Sequence, residues 1–138
     1  MSTSGIEVCR SRAAVIARRY LYVAAFSLLL GTVYTCFSHG VLSGFMLLAF
    51  VFPLIGGAAV FAVLARLGER AYPPLWAERF YRWGIAALTL GSHVRGALDI
   101  YGTENAMTAW YWWIGGLLIE IGVAIYGVIM LSRRKTDK

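Results

Sequence analysis

Apolar residues fall into four long blocks along the chain, separated by polar or basic stretches. The blocks cover residues 20–39, 44–64, 83–99 and 109–131. Each has about 20 residues, which is the length of helix that crosses a bilayer. None shows the alternation of apolar and polar residues that is typical of a membrane-barrel strand. Because only helices and closed barrels satisfy their backbone hydrogen bonds in lipid, the pattern predicts an all-α membrane protein, a bundle of four transmembrane helices.

Composition indicates the same class of protein. Hydrophobic residues make up 59% of the 138 residues and charged residues 14%, whereas a soluble chain averages about 45–50% and about 25%. The length fits a single integral membrane domain over residues 1–138, with basic tails at 1–19 and 132–138.

The basic residues predict the orientation of this domain. Of the 13 Lys and Arg residues, all but Arg95 lie in the two tails or between the second and third blocks. The connections at residues 38–43 and 101–108 contain none. The positive-inside rule therefore places both termini in the cytoplasm, with short extracytoplasmic loops, in a plasma or inner membrane. The net charge of +6 then reflects topology and contact with the lipid bilayer, and it gives no reason to expect a nucleic-acid partner.

The third block is unusually rich in ionisable residues, since it contains His93, Arg95 and Asp99. Glu120 in the fourth block is the other ionisable residue near the middle of a block. An ionisable side chain in lipid costs several kcal/mol unless it finds a partner or a wet cavity, so such residues are functional-site candidates. We therefore predict a ligand, proton or ion-pair site built from these four residues.

Helical geometry divides the four candidates. Arg95 and Asp99 are four residues apart and can pair along one helix face, whereas His93 points about 200° away from Arg95. Counted from Tyr101 as the outer boundary, Arg95 lies about 9 Å deep in the membrane. Counted from Trp110 on the fourth helix, Glu120 lies about 15 Å deep. Because the Arg95 side chain can reach across this difference in depth, a buried Arg95–Glu120 pair with Asp99 as the outer counter-ion is geometrically allowed. The surplus carboxylate could be protonated, solvated or neutralised by a cationic ligand.

Small residues surround Glu120 in the fourth block. Gly116, Ala124 and Gly127 lie on the same helical face as Glu120. Faces of small residues usually pack against other membrane helices. The spacing therefore predicts that Glu120 points into the bundle.

Aromatic residues precede the fourth block, at Trp110, Trp112 and Trp113, and Tyr101 ends the third. Trp and Tyr concentrate at membrane interfaces, so an aromatic belt is the first interpretation. The same four side chains could also form the outer lining of a cation site, because aromatic faces attract cations.

Proline and glycine predict the irregular points of the fold. Pro53, followed by Gly56 and Gly57, predicts a kink in the second helix. Residues 72–74 (Tyr-Pro-Pro) are expected to stop one helix and can start another. Residues 75–83 are then expected to form an interfacial segment of aromatic and basic anchors, and residues 1–19 a short surface helix leading into the membrane.

Transport is the first function class that this pattern allows. A carboxylate removed from water holds a proton more tightly, which suits proton-coupled exchange at Glu120. The size, the four helices and the glutamate in a membrane helix resemble the architecture of the small multidrug-resistance exporters. In that family the essential glutamate lies in the first helix and the loops carry little charge bias, whereas here Glu120 lies in the fourth helix and the bias is strong. The resemblance is one of architecture only, and no family is assigned.

A redox subunit is the second class, with His39 and His93 as haem ligands. His39 is expected at the outer boundary, about 12 Å in depth from His93, which argues against one iron bound by both. No haem b and no other cofactor or metal is therefore expected.

An accessory or assembly subunit is the third class, with Arg95, Asp99 and Glu120 as structural ion pairs between membrane proteins. The phosphate loops, nucleophile elbows and metal-ligand clusters typical of enzymes are not found in the sequence. We therefore predict a transporter, a channel or a transporter subunit, not an enzyme. Four short helices bury little surface around a polar centre, so we expect it to be a homo-oligomer or to have a membrane-protein partner.

Overall fold

A computed structural model of the chain describes residues 3–38, 41–68 and 71–136. Within these residues the secondary structure is helical and contains no strand, so the all-α prediction is confirmed. His39 lies outside the described residues. The helices form four rods, joined by short connections.

The first rod is one continuous helix, α1, Thr3–Phe37. Its 35 residues correspond to about 50 Å of length, more than a bilayer core requires. We predicted a short surface helix over residues 1–19 that leads into the membrane, and the structure shows one helix that continues from Thr3 through Arg19 without a break. The physical reason is local, because residues 6–30 contain neither glycine nor proline.

The second rod, Gly44–Leu67, is helical throughout but changes its winding. It begins as α2 (Gly44–Leu48), continues as a π-helical segment (Phe52–Ala59) and ends as α3 (Val60–Leu67). Pro53 lies in the first turn of the π-helical segment, where its missing N–H disturbs the regular hydrogen-bond ladder. The irregularity predicted at this proline is therefore a widened stretch of helix.

The glycines of the π-helical segment allow neighbouring side chains to approach closely. A Cβ atom at Gly57 would overlap the ring of Tyr20 on α1. The carbonyl oxygen of Gly56 accepts a hydrogen bond of 2.8 Å from the Tyr81 hydroxyl. These contacts fix the second rod between its two neighbours.

The third rod, α4 (Leu75–Tyr101), starts directly after Pro74, as the Pro-Pro pair predicted. The expected interfacial segment at residues 75–83 is not a separate element but the first turns of α4. Gly102, with a φ of +69°, ends the helix in the left-handed conformation that glycine adopts most easily.

The fourth rod consists of a short 3₁₀ turn, Ala106–Thr108, followed by α5, Ala109–Thr136. The Asn105 side chain accepts a hydrogen bond of 2.9 Å from the backbone N–H of Met107, which caps the turn.

Consecutive rods run antiparallel, and their extensive contacts follow the order of the chain. Gly31 of α1 and Gly96 of α4 both approach Met46 of α2. A Cβ atom at Gly84 would lie 2.7 Å from the carbonyl oxygen of Gly115, so α4 and α5 pack closely at this glycine pair.

Three of the described helical stretches are long and apolar enough to cross a membrane: Arg12–Phe37, Gly44–Leu67 and Ala106–Arg133. The 27-residue helix α4 is not among them, because Ser92, His93, Arg95 and Asp99 dilute its apolar run. The structure is consistent with a membrane protein. Helix α4 carries polar and charged side chains and packs among the three more apolar rods.

Candidate functional site

Arg95 and Asp99 form an ion pair along α4. The Arg95 Nε atom lies 3.0 Å from Asp99 Oδ1, and the two side chains are 28% and 26% exposed. The predicted pairing of these residues is confirmed, because a spacing of four residues places them one helical turn apart.

Ser43 joins this pair from the connection between α1 and α2. Its hydroxyl donates a hydrogen bond of 2.9 Å to Asp99 Oδ2 and accepts a longer one, 3.5 Å, from the backbone N–H of Met46. Ser43 is buried. Asp99 therefore has a bonding partner for each of its carboxylate oxygens, and the bond ties the α1–α2 connection to α4.

Glu104 adds a second carboxylate to Arg95. Its Oε1 atom lies 3.6 Å from Arg95 Nη2, and its side chain is 86% exposed. Arg95 thus faces both Asp99 and Glu104, and the three residues together carry one surplus negative charge. We name Arg95, Asp99 and Glu104 the outer ion group.

A cleft of about 680 Å³ opens beside the outer ion group. Asp99 and Ser92 lie on its polar side, and Phe45, Phe52 and Trp112 line its aromatic side. The Phe45 and Phe52 ring centroids lie 5.9 and 5.7 Å from that of Trp112, in edge-to-face geometry. The cleft therefore combines a carboxylate with aromatic walls at the end of the rods where the α1–α2 and α4–α5 connections meet.

Two further contacts fix the Phe45 side of the cleft. The Ser92 hydroxyl donates a hydrogen bond of 2.7 Å to the Phe45 carbonyl oxygen. The Arg95 guanidinium lies 5.9 Å from the centre of the Phe45 ring, within the range of a cation–π contact. Arg95 consequently helps to place both the carboxylate and one aromatic wall.

The predicted aromatic lining divides between two environments. Trp112 lies in the cleft, whereas Tyr101, Trp110 and Trp113 are exposed on the outside of the rods. Those three positions fit an interfacial belt, which stays a prediction. Phe45 and Phe52 were not among the predicted lining residues, because an apolar helix gives no signal of which rings border a cleft.

Glu120 does not point into the protein, and our prediction of its position was wrong. Its side chain is exposed on α5, and no hydrogen bond or ion pair joins it to Arg95 or to any other described residue. On the same face, a Cβ atom at Gly116 or Gly127 would meet open space.

The inward face of α5 is the neighbouring one. Gly115 packs against Leu88, and Gly122 packs against the backbone at Ala77 and Tyr81. The sequence offers two small-residue stripes on α5, and only the one that matches Gly84 on α4 can approach that helix closely. We name the other stripe, Gly116, Glu120, Ala124 and Gly127, the outward face of α5.

His93 is separate from the outer ion group, as its angle predicted. Its Nδ1 donates a hydrogen bond to the Thr89 carbonyl oxygen over 2.8 Å, because the carbonyl can only accept. The other ring nitrogen, Nε2, is buried without a partner among the described residues. With His39 outside the described residues, the haem hypothesis for His39 and His93 is not tested. The described residues contain no group of three or more His, Cys, Asp or Glu placed to hold a metal ion.

The most extensive charge cluster among the described residues was not predicted, and its centre is Glu78. This carboxylate is 1% exposed. It accepts bonds from Arg12 Nη2 at 3.1 Å, Arg82 Nη1 at 3.0 Å and the Tyr72 hydroxyl at 2.9 Å. We name these four residues the Glu78 cluster.

Part of the Glu78 cluster was visible in the sequence. Glu78 and Arg82 have the spacing of a helical ion pair, but residues 75–83 were interpreted as a surface segment in which such a pair is exposed. Arg12 is 66 residues away in the chain, so only the packing of α1 beside α4 brings it to Glu78. Burial and the neighbouring Glu78 carboxylate raise the pKa of the Tyr72 phenol, which therefore remains a hydrogen-bond donor.

The chain was compared with protein-family models, with curated proteins and with solved structures, and no match was found in any of the three.

Proposed function

We propose that the protein is a small four-span membrane protein that binds an organic cation in the cleft beside the outer ion group, as a transporter or a subunit of one. The observation that carries this proposal is the Asp99 carboxylate at the edge of an aromatic cleft. Both termini are cytoplasmic in this arrangement, and the cleft opens on the opposite, extracytoplasmic side.

The charges of the outer ion group favour a cation over an anion. Arg95 neutralises one of its two carboxylate neighbours, and the surplus negative charge stays at the mouth of the cleft. Aromatic faces add attraction for a cation, worth about 0.5–2 kcal/mol for each well-placed ring. Phe45, Phe52 and Trp112 also provide an apolar surface for the body of such a ligand.

The ion pairs of α4 also support this helix as a membrane span, in addition to the three apolar spans. Charged residues are tolerated within a span when they pair with one another and face other helices. Arg95 and Asp99 are paired, and Glu78 lies about 35 Å along α4 from Tyr101, beyond a hydrocarbon core of about 30 Å. The arrangement keeps the ionic groups of α4 satisfied without requiring water in the membrane centre.

A matched pair of hydrophobic ions tests the cation site. Tetraphenylphosphonium and tetraphenylborate have similar size and shape but opposite charge. We expect calorimetric titration of the detergent-solubilised protein, corrected with protein-free micelles, to detect saturable binding of the phosphonium ion only. Equal binding of both ions would show that the cleft is merely apolar and would refute the proposal.

Two neighbouring tryptophans provide the matched variants. Trp112→Ala removes a wall of the cleft and should weaken phosphonium binding about 2- to 30-fold, by the cation–π estimate. Trp113→Ala removes an exposed ring and should leave binding unchanged. Equal losses in the two variants would place the binding outside the cleft. Uptake of the phosphonium ion by proteoliposomes then distinguishes a transporter from a binding subunit.

Self-association through the outward face of α5 is the second candidate function. Glu120 is exposed and unpartnered among the described residues, and Gly116 and Gly127 leave room for another backbone to approach. A carboxyl group in lipid is costly until it is hydrogen-bonded, and small residues allow the helices that bear it to come together. A second copy provides the same face, so that Glu120 and the small residues of one copy can meet those of the other.

Energy transfer between labelled copies in lipid vesicles tests this association. Glu120→Ala and Gly116→Leu should both lower the transfer efficiency at a fixed protein-to-lipid ratio. Leu29→Ala, at an exposed position on α1 rather than α5, is the control and should not. Transfer that is insensitive to both changes on the outward face would remove this candidate.

A further inference from the structure

A second cleft, of about 390 Å³, lies between α1 and α4 on the side of the Glu78 cluster. Arginine side chains from both helices line it: Arg19 from α1, and Arg79 and Arg82 from α4. We name this the arginine cleft. We propose that it binds the phosphate headgroup of an anionic phospholipid, with an acyl chain lying along the apolar floor.

The first argument is the excess of positive charge. Arg12 is bound to Glu78 next to the arginine cleft, so among the described side chains four guanidinium groups share this region with one carboxylate. Glu78 uses only one nitrogen of Arg82, Nη1, and among the described residues no carboxylate pairs with Arg19 or Arg79. Guanidinium groups bind phosphate oxygens through paired N–H donors, so the free groups match a phosphate.

The second argument is how the lining residues are ordered along the helices. Val23 and Ala86 line the same cleft as Arg19 and Arg79. They lie about 6 Å and about 10 Å further along α1 and α4, which run in the same direction. Although Ile16 lines the cleft on the other side of Arg19, the apolar lining at Val23 and Ala86 continues from the arginines towards the membrane, as an acyl chain continues from its headgroup. A free phosphate ion would contact the arginines but not the apolar lining at Val23 and Ala86.

The setting at the edge of the membrane span agrees with a lipid. Trp83 lines the arginine cleft, and Arg79 lies 5.3 Å from the centre of the Trp76 ring. Tryptophan and arginine at this level are typical of the headgroup region, and basic pockets between helices there bind anionic lipids. The inference needs the protein to be in a membrane, but it does not depend on the cation cleft or on self-association.

Native mass spectrometry of the full chain in detergent tests the site. The probes are dioleoyl phosphatidylglycerol, dioleoyl phosphatidylcholine and inorganic phosphate. We expect one copy of phosphatidylglycerol to be retained at concentrations where phosphatidylcholine is lost. Equal retention of the two lipids would overturn the proposal. Displacement of phosphatidylglycerol by millimolar inorganic phosphate would also overturn it, because the site would then be one for a soluble anion.

Matched double variants separate the cleft from the general charge of the protein. Arg19→Gln with Arg79→Gln removes two arginines from the cleft. Arg18→Gln with Arg66→Gln removes the same charge from exposed positions outside it. At about five-fold for each arginine, the first pair should weaken phosphatidylglycerol binding roughly 25-fold and the second less than about three-fold. Similar losses from both pairs would reduce the effect to non-specific attraction and refute the site. Arg82 is left intact because it also holds Glu78.

Discussion

The Glu78 cluster and the outer ion group, at opposite ends of α4, differ in how completely their carboxylates are hydrogen-bonded and paired. Glu78 is 1% exposed and accepts bonds from two arginines and a tyrosine. Asp99 is 26% exposed, with one arginine and one serine as partners, and it opens into a cleft. A buried carboxylate with its bonding capacity filled holds helices together, whereas a partly open one retains surface for a ligand. The comparison favours a structural role for the Glu78 end of α4, and it is consistent with the binding that we propose for the Asp99 end.

Removing the charge of Glu78 should have the largest effect on stability. Glu78→Gln leaves Arg12 and Arg82 without their shared counter-ion, and breaking a buried pair from one side costs about 3–5 kcal/mol. Because both arginines are partly exposed, we expect the lower end of that range. Thermal unfolding in lipid nanodiscs measures it. Glu104→Gln, the same change at a position that is 86% exposed, is the control. Equal effects at the two positions would abolish the proposed contrast.

Tyr72→Phe should have the next largest effect, because it removes one donor from the buried Glu78 carboxylate. Hydrogen bonds to charged groups contribute about 1.5–3 kcal/mol. Because the pKa of Tyr72 is raised in the folded protein, the unfolded chain ionises first. Stability should therefore fall as the pH rises above about 10. Tyr72→Phe should make that fall shallower, and unfolding measured at pH 8 and pH 10.5 checks both expectations. An unchanged alkaline slope would show that Tyr72 has no part in the fall.

Asp99→Asn should lower the stability less than Glu78→Gln does, and it should weaken the binding of the phosphonium ion. The ion pair with Arg95 is partly exposed, so we expect a loss of about 1 kcal/mol in nanodisc unfolding. The asparagine can still accept the bond from Ser43 but carries no charge. Phosphonium binding should therefore fall by at least about ten-fold, a difference of about 1.4 kcal/mol. A loss of stability as large as that of Glu78→Gln, with binding retained, would reverse the roles of the two groups.

Glu104→Gln should have the smallest effect on stability. Its carboxylate is 86% exposed and 3.6 Å from Arg95, and such pairs contribute about 0–1 kcal/mol. Phosphonium affinity should fall by a few-fold, because the surplus charge of the outer ion group is removed. Affinity that does not change would assign the whole attraction to Asp99 and the aromatic walls.

Contacts between residues of one helix could be predicted from the sequence, whereas contacts between different helices could not. Arg95 and Asp99 were paired correctly from their spacing, because both lie on one helix whose geometry is known in advance. The Arg95–Glu120 pair was suggested by the depths of the two residues and by the small-residue face that carries Glu120, and neither determines which face of α5 packs against α4. Ser43 gave no signal, since a serine in a connection is common and its partner Asp99 lies on a different helix.

The helices, their ends at Pro74 and Gly102, and the Arg95–Asp99 pair follow from local sequence, because backbone geometry and i,i+4 spacing act within a few residues. Tertiary packing alone decided which stripe of α5 faces inward. It did so because Gly84 and Gly115 allow α4 and α5 to approach closely. That approach leaves Glu120 on the outside. The arrangement of α1 and α4 likewise brings Arg12 to Glu78, and it buries a carboxylate within a segment that the sequence predicted to be interfacial.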